Sequence, residues 1–151
     1  MKLLNPLREH RSYLMSSLES QVRQFNVTYG KPMSKNPRLP TVSEAKLLVD
    51  LIEEELEELK VAIANQDLVE IADAIADLQY VSAQQGTMLG LPIDALLREV
   101  QRSNMSKLGA DGKPIYREDG KVLKGPNFSE PDITGVLVGY CKEIVYEETK
   151  S

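Results

Sequence analysis

Ile52-Glu53-Glu54-Glu55-Leu56-Glu57-Glu58-Leu59 and, a short turn later, Glu70-Ile71-Ala72-Asp73-Ala74-Ile75-Ala76-Asp77-Leu78 decide how this chain is read. Both stretches have the apolar spacing of helices. On the first, Glu55 and Glu58 are neighbours at i, i+3; on the second, Glu70, Asp73 and Asp77 form a row at i, i+3, i+7. Two antiparallel helices facing these rows would gather four or five carboxylates. Such a cluster repels itself unless a cation sits in it. Oxygen ligands with no His or Cys nearby favour Mg²⁺, or Mn²⁺, over zinc.

Working outward, Thr41 or Ser43 can cap the first acidic helix, with Glu44 in its first turn. That helix is predicted to run to about Asn65 on a stripe of Leu48, Leu51, Ile52, Leu59 and Ile63. Asp67 caps the second, which continues to about Gly90. Upstream, Leu7, Tyr13, Leu14, Leu18, Val22 and Phe25 predict a helix from about Pro6 to Thr28, closed by Gly30 and Pro32. Lys31 to Pro40 reads as an ordered loop. Pro92 opens a helix carrying Leu96, Leu97 and Val100, and Pro131-Asp132 opens a last one with Ile133, Val136, Leu137, Tyr140 and Ile144 along one side. Between them, Asp111-Gly112 and Asp119-Gly120 are turn signals, and residues 114–117 and 121–124 are the arms of a small hairpin. The expectation is one all-α domain over residues 1–151: a helical bundle with a basic hairpin flap.

Composition narrows the function. Of 151 residues, 42% are apolar, enough for a real core. The net charge of −5, with no long basic run, argues against nucleic acid as the primary partner. The single cysteine, Cys141, excludes an intrachain disulfide and reads as part of an ordinary helix face. Residues 1–7 hold no apolar signal core and no stretch is of membrane-spanning length, so a cytoplasmic location is expected.

A run of glutamates is most often a solvated helix face. Two features weigh against that here. Glu55 falls between Ile52 and Leu59, at the edge of the apolar stripe, while Glu54 and Glu58 repel at i, i+4 by about 0.2–0.5 kcal/mol. Asp77 lies in a nearly apolar segment with no Lys or Arg on its own helix, where an unpaired carboxylate is expensive. Asp73, one turn back, would complete a chelating pair. Glu70 lies near the helix start, where a carboxylate also suits the helix dipole. Mg²⁺ binds through a few carboxylates, waters and substrate phosphates. The substrate class that follows carries phosphates, and the reaction class is metal-assisted phosphoanhydride hydrolysis, with Glu54 as candidate general base.

The same residues resemble the all-α, MazG-like nucleoside triphosphate pyrophosphohydrolases, a group that includes dimeric dUTPases and phosphoribosyl-ATP pyrophosphohydrolase. Glu54-Glu55-Leu56-Glu57-Glu58 matches the group's Glu-Glu-x-x-Glu motif. Its Glu-x-x-Asp motif has two registers here: Glu70-Ile71-Ala72-Asp73 fits literally, while Ala76-Asp77-Leu78-Gln79-Tyr80 resembles the segment around the metal-binding Asp, with Ala74 in place of the Glu. Glu99-Val100-Gln101-Arg102-Ser103-Asn104-Met105-Ser106-Lys107, Asp119-Gly120-Lys121 through Pro126, and Pro131-Asp132-Ile133 resemble one MazG-like subgroup, so the resemblance implies a core from about residue 25 to 137. The resemblance implies hydrolysis between the α- and β-phosphates of an NTP or dNTP to the monophosphate and pyrophosphate. It implies Mg²⁺ on Glu55, Glu58, Asp73 and Asp77, with Glu54 close by, and dimers or dimers of dimers.

Outside the acidic pair, Lys107, Lys121 and Lys124 are candidates to neutralise phosphate, and Asn104 to contact base or ribose. For the flap lysines, plain solubility weighs equally. Arg102 can instead pair with an acidic helix. Lone His10 reads as a surface residue; Phe25, Tyr80, Met88 and Met105 read as packing. Two narrower or different functions stay open: a dUTPase or modified-nucleotide hydrolase, and a non-catalytic helical interaction module. Phosphoribosyl-ATP hydrolysis ranks lower, because Asn-x-Ser-Lys and the flap fit the other subgroup.

Overall fold

The structure is a computed structural model that describes residues 17–148, with the side chains of 145–148 excepted. Five helices are described: α1 (Leu18–Thr28), α2 (Val42–Ala64), α3 (Leu68–Met88), α4 (Ile93–Met105) and α5 (Ile133–Glu148). Chain contacts gather into two units that divide after Leu91. In the first, α3 packs against both α1 and α2; in the second, α4 packs against α5.

Helix boundaries follow cap chemistry. Ser17 is extended and its hydroxyl accepts the Ser20 N–H at 3.2 Å, so α1 begins at Leu18 instead of running on from Pro6. A serine hydroxyl there offers the backbone an alternative to a continued helix. The expected stretch before Ser17, and His10 with it, lies outside the described residues. Thr41, not Ser43, caps α2 in a full capping box with Glu44. Arg38 grips the same Glu44 carboxylate at 2.6 and 2.9 Å. Those hydrogen bonds, then those from Thr41, hold the Glu44 carboxyl down at about 2.

Small residues carry the core of the first unit. Val22 is fully buried, and Ala62, Ala74 and Ala83 are nearly so. Ile63, expected on the buried stripe, is 56% exposed, and its neighbour Ala62 takes the inside place. Alanine at a crossing lets two helix backbones approach closely, and the bulky side chain is turned out. Met105 is likewise exposed rather than packed. Phe25 does pack as expected, edge-on to Tyr80 with ring centres 5.9 Å apart.

One polar cluster is buried between α1 and α3. The Asn26 amide donates to the Thr87 hydroxyl at 2.9 Å, and the Gln84 amide donates to Asn26 Oδ1 at 3.2 Å. Asn26 and Thr87 have no exposed surface. Asn26→Ala strips a partner from the buried Thr87 hydroxyl and from the half-buried Gln84 amide and leaves a void, so we expect a loss of about 2–3 kcal/mol in urea unfolding. A loss under about 0.5 kcal/mol, the size of a surface change, would show that the cluster holds nothing together.

In the second unit the hairpin forms, at minimal size. The Arg117 N–H donates to the Lys121 carbonyl and the Leu123 N–H to the Ile115 carbonyl, both at 2.8 Å, around one antiparallel bridge between Tyr116 and Val122. No strand is assigned among the described residues.

Candidate active site

Three residues, 65–67, join α2 to α3. Asn65 ends α2, Gln66 takes a left-handed φ of 55°, and the Asp67 N–H closes on the Ala62 carbonyl at 3.0 Å. The Asp67 carboxylate then caps α3 by accepting from the Val69 and Glu70 N–H groups at 3.0 and 3.2 Å. A hairpin this tight fixes the register of the two acidic rows. Glu70 comes beside the C-terminal turn of α2, and Asp77 comes level with Glu55.

Glu55 is the focus. It is half-buried, and its Oε2 is shut off from solvent with no hydrogen-bond partner. Burial pushes its carboxyl up from the ordinary range; the negative charges of Asp77, Glu58, Glu54 and Asp73 push it further, in that order. Four predicted site residues are thus within electrostatic reach of a fifth, Glu55. Among the described residues no ion pair joins any of these five to a Lys or Arg. Glu57, on the outer side of α2, does pair with Lys60, at 3.0 Å.

Asp77 differs from expectation. It is only half-buried, and Ile75 and Ala76 beside it are exposed, so the segment is not enclosed all round. The carboxylate oxygen hidden without a partner belongs to Glu55 instead. Glu70 is not among the charges that act on Glu55. With Glu54, Glu57, Glu58, Val61 and Asp67, it lines an open groove of about 560 Å³ at the turn end of the hairpin.

The donor set is all oxygen, which suits a hard divalent cation. An orphaned buried carboxylate oxygen is what such an ion would satisfy. Among the described residues, however, no three side chains close on one point as a finished cage.

In the second unit the Lys107 ammonium donates to Asn104 Oδ1 at 2.8 Å, which brings two predicted substrate contacts together. Lys124 is tied to Glu130 at 2.7 Å and lies 4.1 Å from the centre of the Phe128 ring. Lys121 is exposed, with its backbone N–H taken by Asp119. Arg102 pairs through bonds of 2.7–3.0 Å with Glu99 on its own helix, not with an acidic helix as the sequence suggested. Those bonds, then one from the Asp132 N–H, hold the Glu99 carboxyl down at about 2. Sequence reasoning placed Ser103 and Ser106 in the subgroup segment but missed their pairing with Ser129, 23 to 26 residues on. No local pattern signals such a pairing.

Comparison with known proteins agrees with the helical hairpin. The family model for phosphoribosyl-ATP pyrophosphohydrolase matches residues 22–104, more than half of the chain. An uncharacterised protein of Acanthamoeba polyphaga mimivirus is 35% identical over 112 residues, which is 68% of this chain and 40% of that protein. The chain thus spans about two-fifths of the length of this curated relative. On the family match and the helices that bear it, the chain belongs to the phosphoribosyl-ATP pyrophosphohydrolase family, within the MazG-like all-helical superfamily.

Proposed function

We propose that the chain hydrolyses nucleoside or deoxynucleoside triphosphates between the α- and β-phosphates, giving the monophosphate and pyrophosphate, with Mg²⁺ as cofactor. The observation that carries this reading is the partnerless buried oxygen of Glu55 among four other carboxylates, on a hairpin of a pyrophosphohydrolase family. Glu55, Glu58, Asp73 and Asp77 would hold the ion. Glu70, outside that group, is the weaker candidate ligand. Bound there, a divalent cation supplies charge neutralisation and polarises the phosphoryl group under attack. Glu54 is exposed and free of ion pairs, so it can accept the proton of the attacking water. The water oxygen bonds to the α-phosphorus, the bond to the bridging oxygen breaks, and pyrophosphate leaves with that electron pair. Asn104 and Lys107 are assigned to the nucleotide, with Lys121 and Lys124 of the hairpin as further phosphate contacts.

The family name makes phosphoribosyl-ATP a competing substrate. The family match ends at residue 104, so it takes in Asn104 but neither Lys107 nor the flap, which also set this subgroup apart. Pyrophosphate release from a panel of NTPs, dNTPs and phosphoribosyl-ATP, with Mg²⁺ or with EDTA, decides between them. Metal-dependent release from one or more triphosphates is expected. Release from phosphoribosyl-ATP alone would overturn the substrate, and release from none would overturn the reaction.

We also propose that the chain self-associates. Val42, Val49, Leu56 and Ile63 recur every seven residues along α2 and are 41–90% exposed. Leu68 and Ile75 do the same on α3, at 77% and 45%. Apolar stripes at heptad spacing suit packing between two helical hairpins. Sedimentation equilibrium should give at least twice the chain mass of 16.9 kDa; a monomer at micromolar concentration would refute self-association.

A further inference from the structure

The second unit contains a clasp that the proposed reaction leaves unexplained. Four polar side chains of α4 and its cap, Glu99, Arg102, Ser103 and Ser106, stand at i, i+3, i+4 and i+7, hence on one helix face. All four bind the same short segment, residues 129–132. Glu99 accepts the Asp132 N–H at 2.7 Å. Arg102 donates to the Glu130 carbonyl at 2.9 Å and to the Ser129 hydroxyl at 3.2 Å. The Ser103 hydroxyl, on a residue 4% exposed, donates to the Ser129 carbonyl at 2.8 Å. Ser106 is the central link. Its hydroxyl accepts the Ser129 N–H at 2.9 Å and donates back to the Ser103 carbonyl at 2.7 Å.

Lys107 is the next residue, and it is fixed from its other side as well. Its carbonyl accepts the Gly125 N–H at 3.0 Å, and Gly125 lies so close to Leu108 that a Cβ there would stand 1.9 Å from the Leu108 carbonyl oxygen. The Lys107 backbone is therefore held between two anchors. Its ammonium gives one of its three protons to Asn104, which leaves two for an anion. A long lysine normally loses much rotamer freedom when it binds a ligand, and prior fixation lowers that cost.

We propose that Ser106 is a positioning residue: through the clasp to Ser129, it holds Lys107 and Asn104 as a preformed anchor for the polyphosphate of the substrate. This rests on the reading that Lys107 contacts the nucleotide. The role of Ser106 is indirect, through the placement of its neighbour. A serine that merely braced the loop would affect melting and leave anion binding alone.

The test uses the full chain and inorganic tripolyphosphate, titrated by calorimetry in EDTA so that no metal takes part. Lys107→Ala and Ser106→Ala should each weaken binding about tenfold, the equivalent of one charge-assisted hydrogen bond. The double variant should be little worse than Lys107→Ala alone, because Ser106 acts through Lys107. Ser106→Thr, which keeps the hydroxyl, should stay within about threefold of the parent, and it serves should the alanine variant not fold. Unchanged binding in Ser106→Ala, fully additive losses in the double variant, or no binding by the parent would each overturn the proposal. Binding that follows the prediction while no nucleotide is cleaved would remove the hydrolysis reading alone. Nucleotide cleavage with tripolyphosphate binding indifferent to Lys107→Ala would remove this proposal alone.

Discussion

Asp77→Asn is expected to lower metal-dependent pyrophosphate release at least about a thousandfold, a loss of about 4 kcal/mol in transition-state stabilisation. Asp77 is the carboxylate whose charge acts most strongly on Glu55, so the two share one field. Asparagine keeps the size of the side chain and removes the charge and one ligand oxygen. No ion pair is lost with it among the described residues, and helix content and melting should stay close to those of the parent. Asp73→Asn should cost more activity than Glu70→Gln, since the charge of Asp73 acts on Glu55 and that of Glu70 is not among those that do. Steady-state kinetics with far-UV circular dichroism checks both statements. An Asp77→Asn enzyme within tenfold of the parent would remove the carboxylate pair from the reaction.

Glu55→Gln should do two opposite things. Without metal it should stabilise the chain, by about 1 kcal/mol or roughly 3 °C in melting temperature, since a half-buried charge surrounded by like charges is removed. The new amide can donate to the neighbouring carboxylates, where Glu55 Oε2 now has no partner. With Mg²⁺ the order should reverse. A ligand bound to the native state adds about 2.7 kcal/mol at a hundred times its dissociation constant, and the variant should forgo that increment. Thermal melts with and without Mg²⁺ give both effects. If parent and variant respond equally to Mg²⁺, Glu55 is not part of the metal site.

Much of the hairpin is legible in the sequence because its signals are local. Thr41 with Glu44, and Asp67 before the acidic α3, satisfy backbone donors within three residues, and the caps fall on them. Glu55 at the edge of an apolar stripe is likewise a matter of helical period, and its buried oxygen follows from that. What period leaves undecided is which of two adjacent lines meets the neighbouring helix. Ile63 and Ala62 are one step apart, and close helix approach selects the alanine. Asp77 shows the same ambiguity: a segment rich in Ala and Ile reads as enclosed, yet part of it faces outward. The clasp is illegible for a different reason. Ser103 and Ser106 look like ordinary helix-end serines, and their partner Ser129 lies beyond the whole flap. Asn26 is hidden in the same way, since its partners Gln84 and Thr87 lie 58 and 61 residues on.

The products of one Mg²⁺-dependent turnover test the central claim most directly. A preferred deoxynucleotide or nucleotide, incubated with the chain and separated by anion exchange, should give monophosphate and pyrophosphate in equal amounts, and neither in EDTA. Diphosphate with orthophosphate would place the cleavage at the terminal bond and contradict the account.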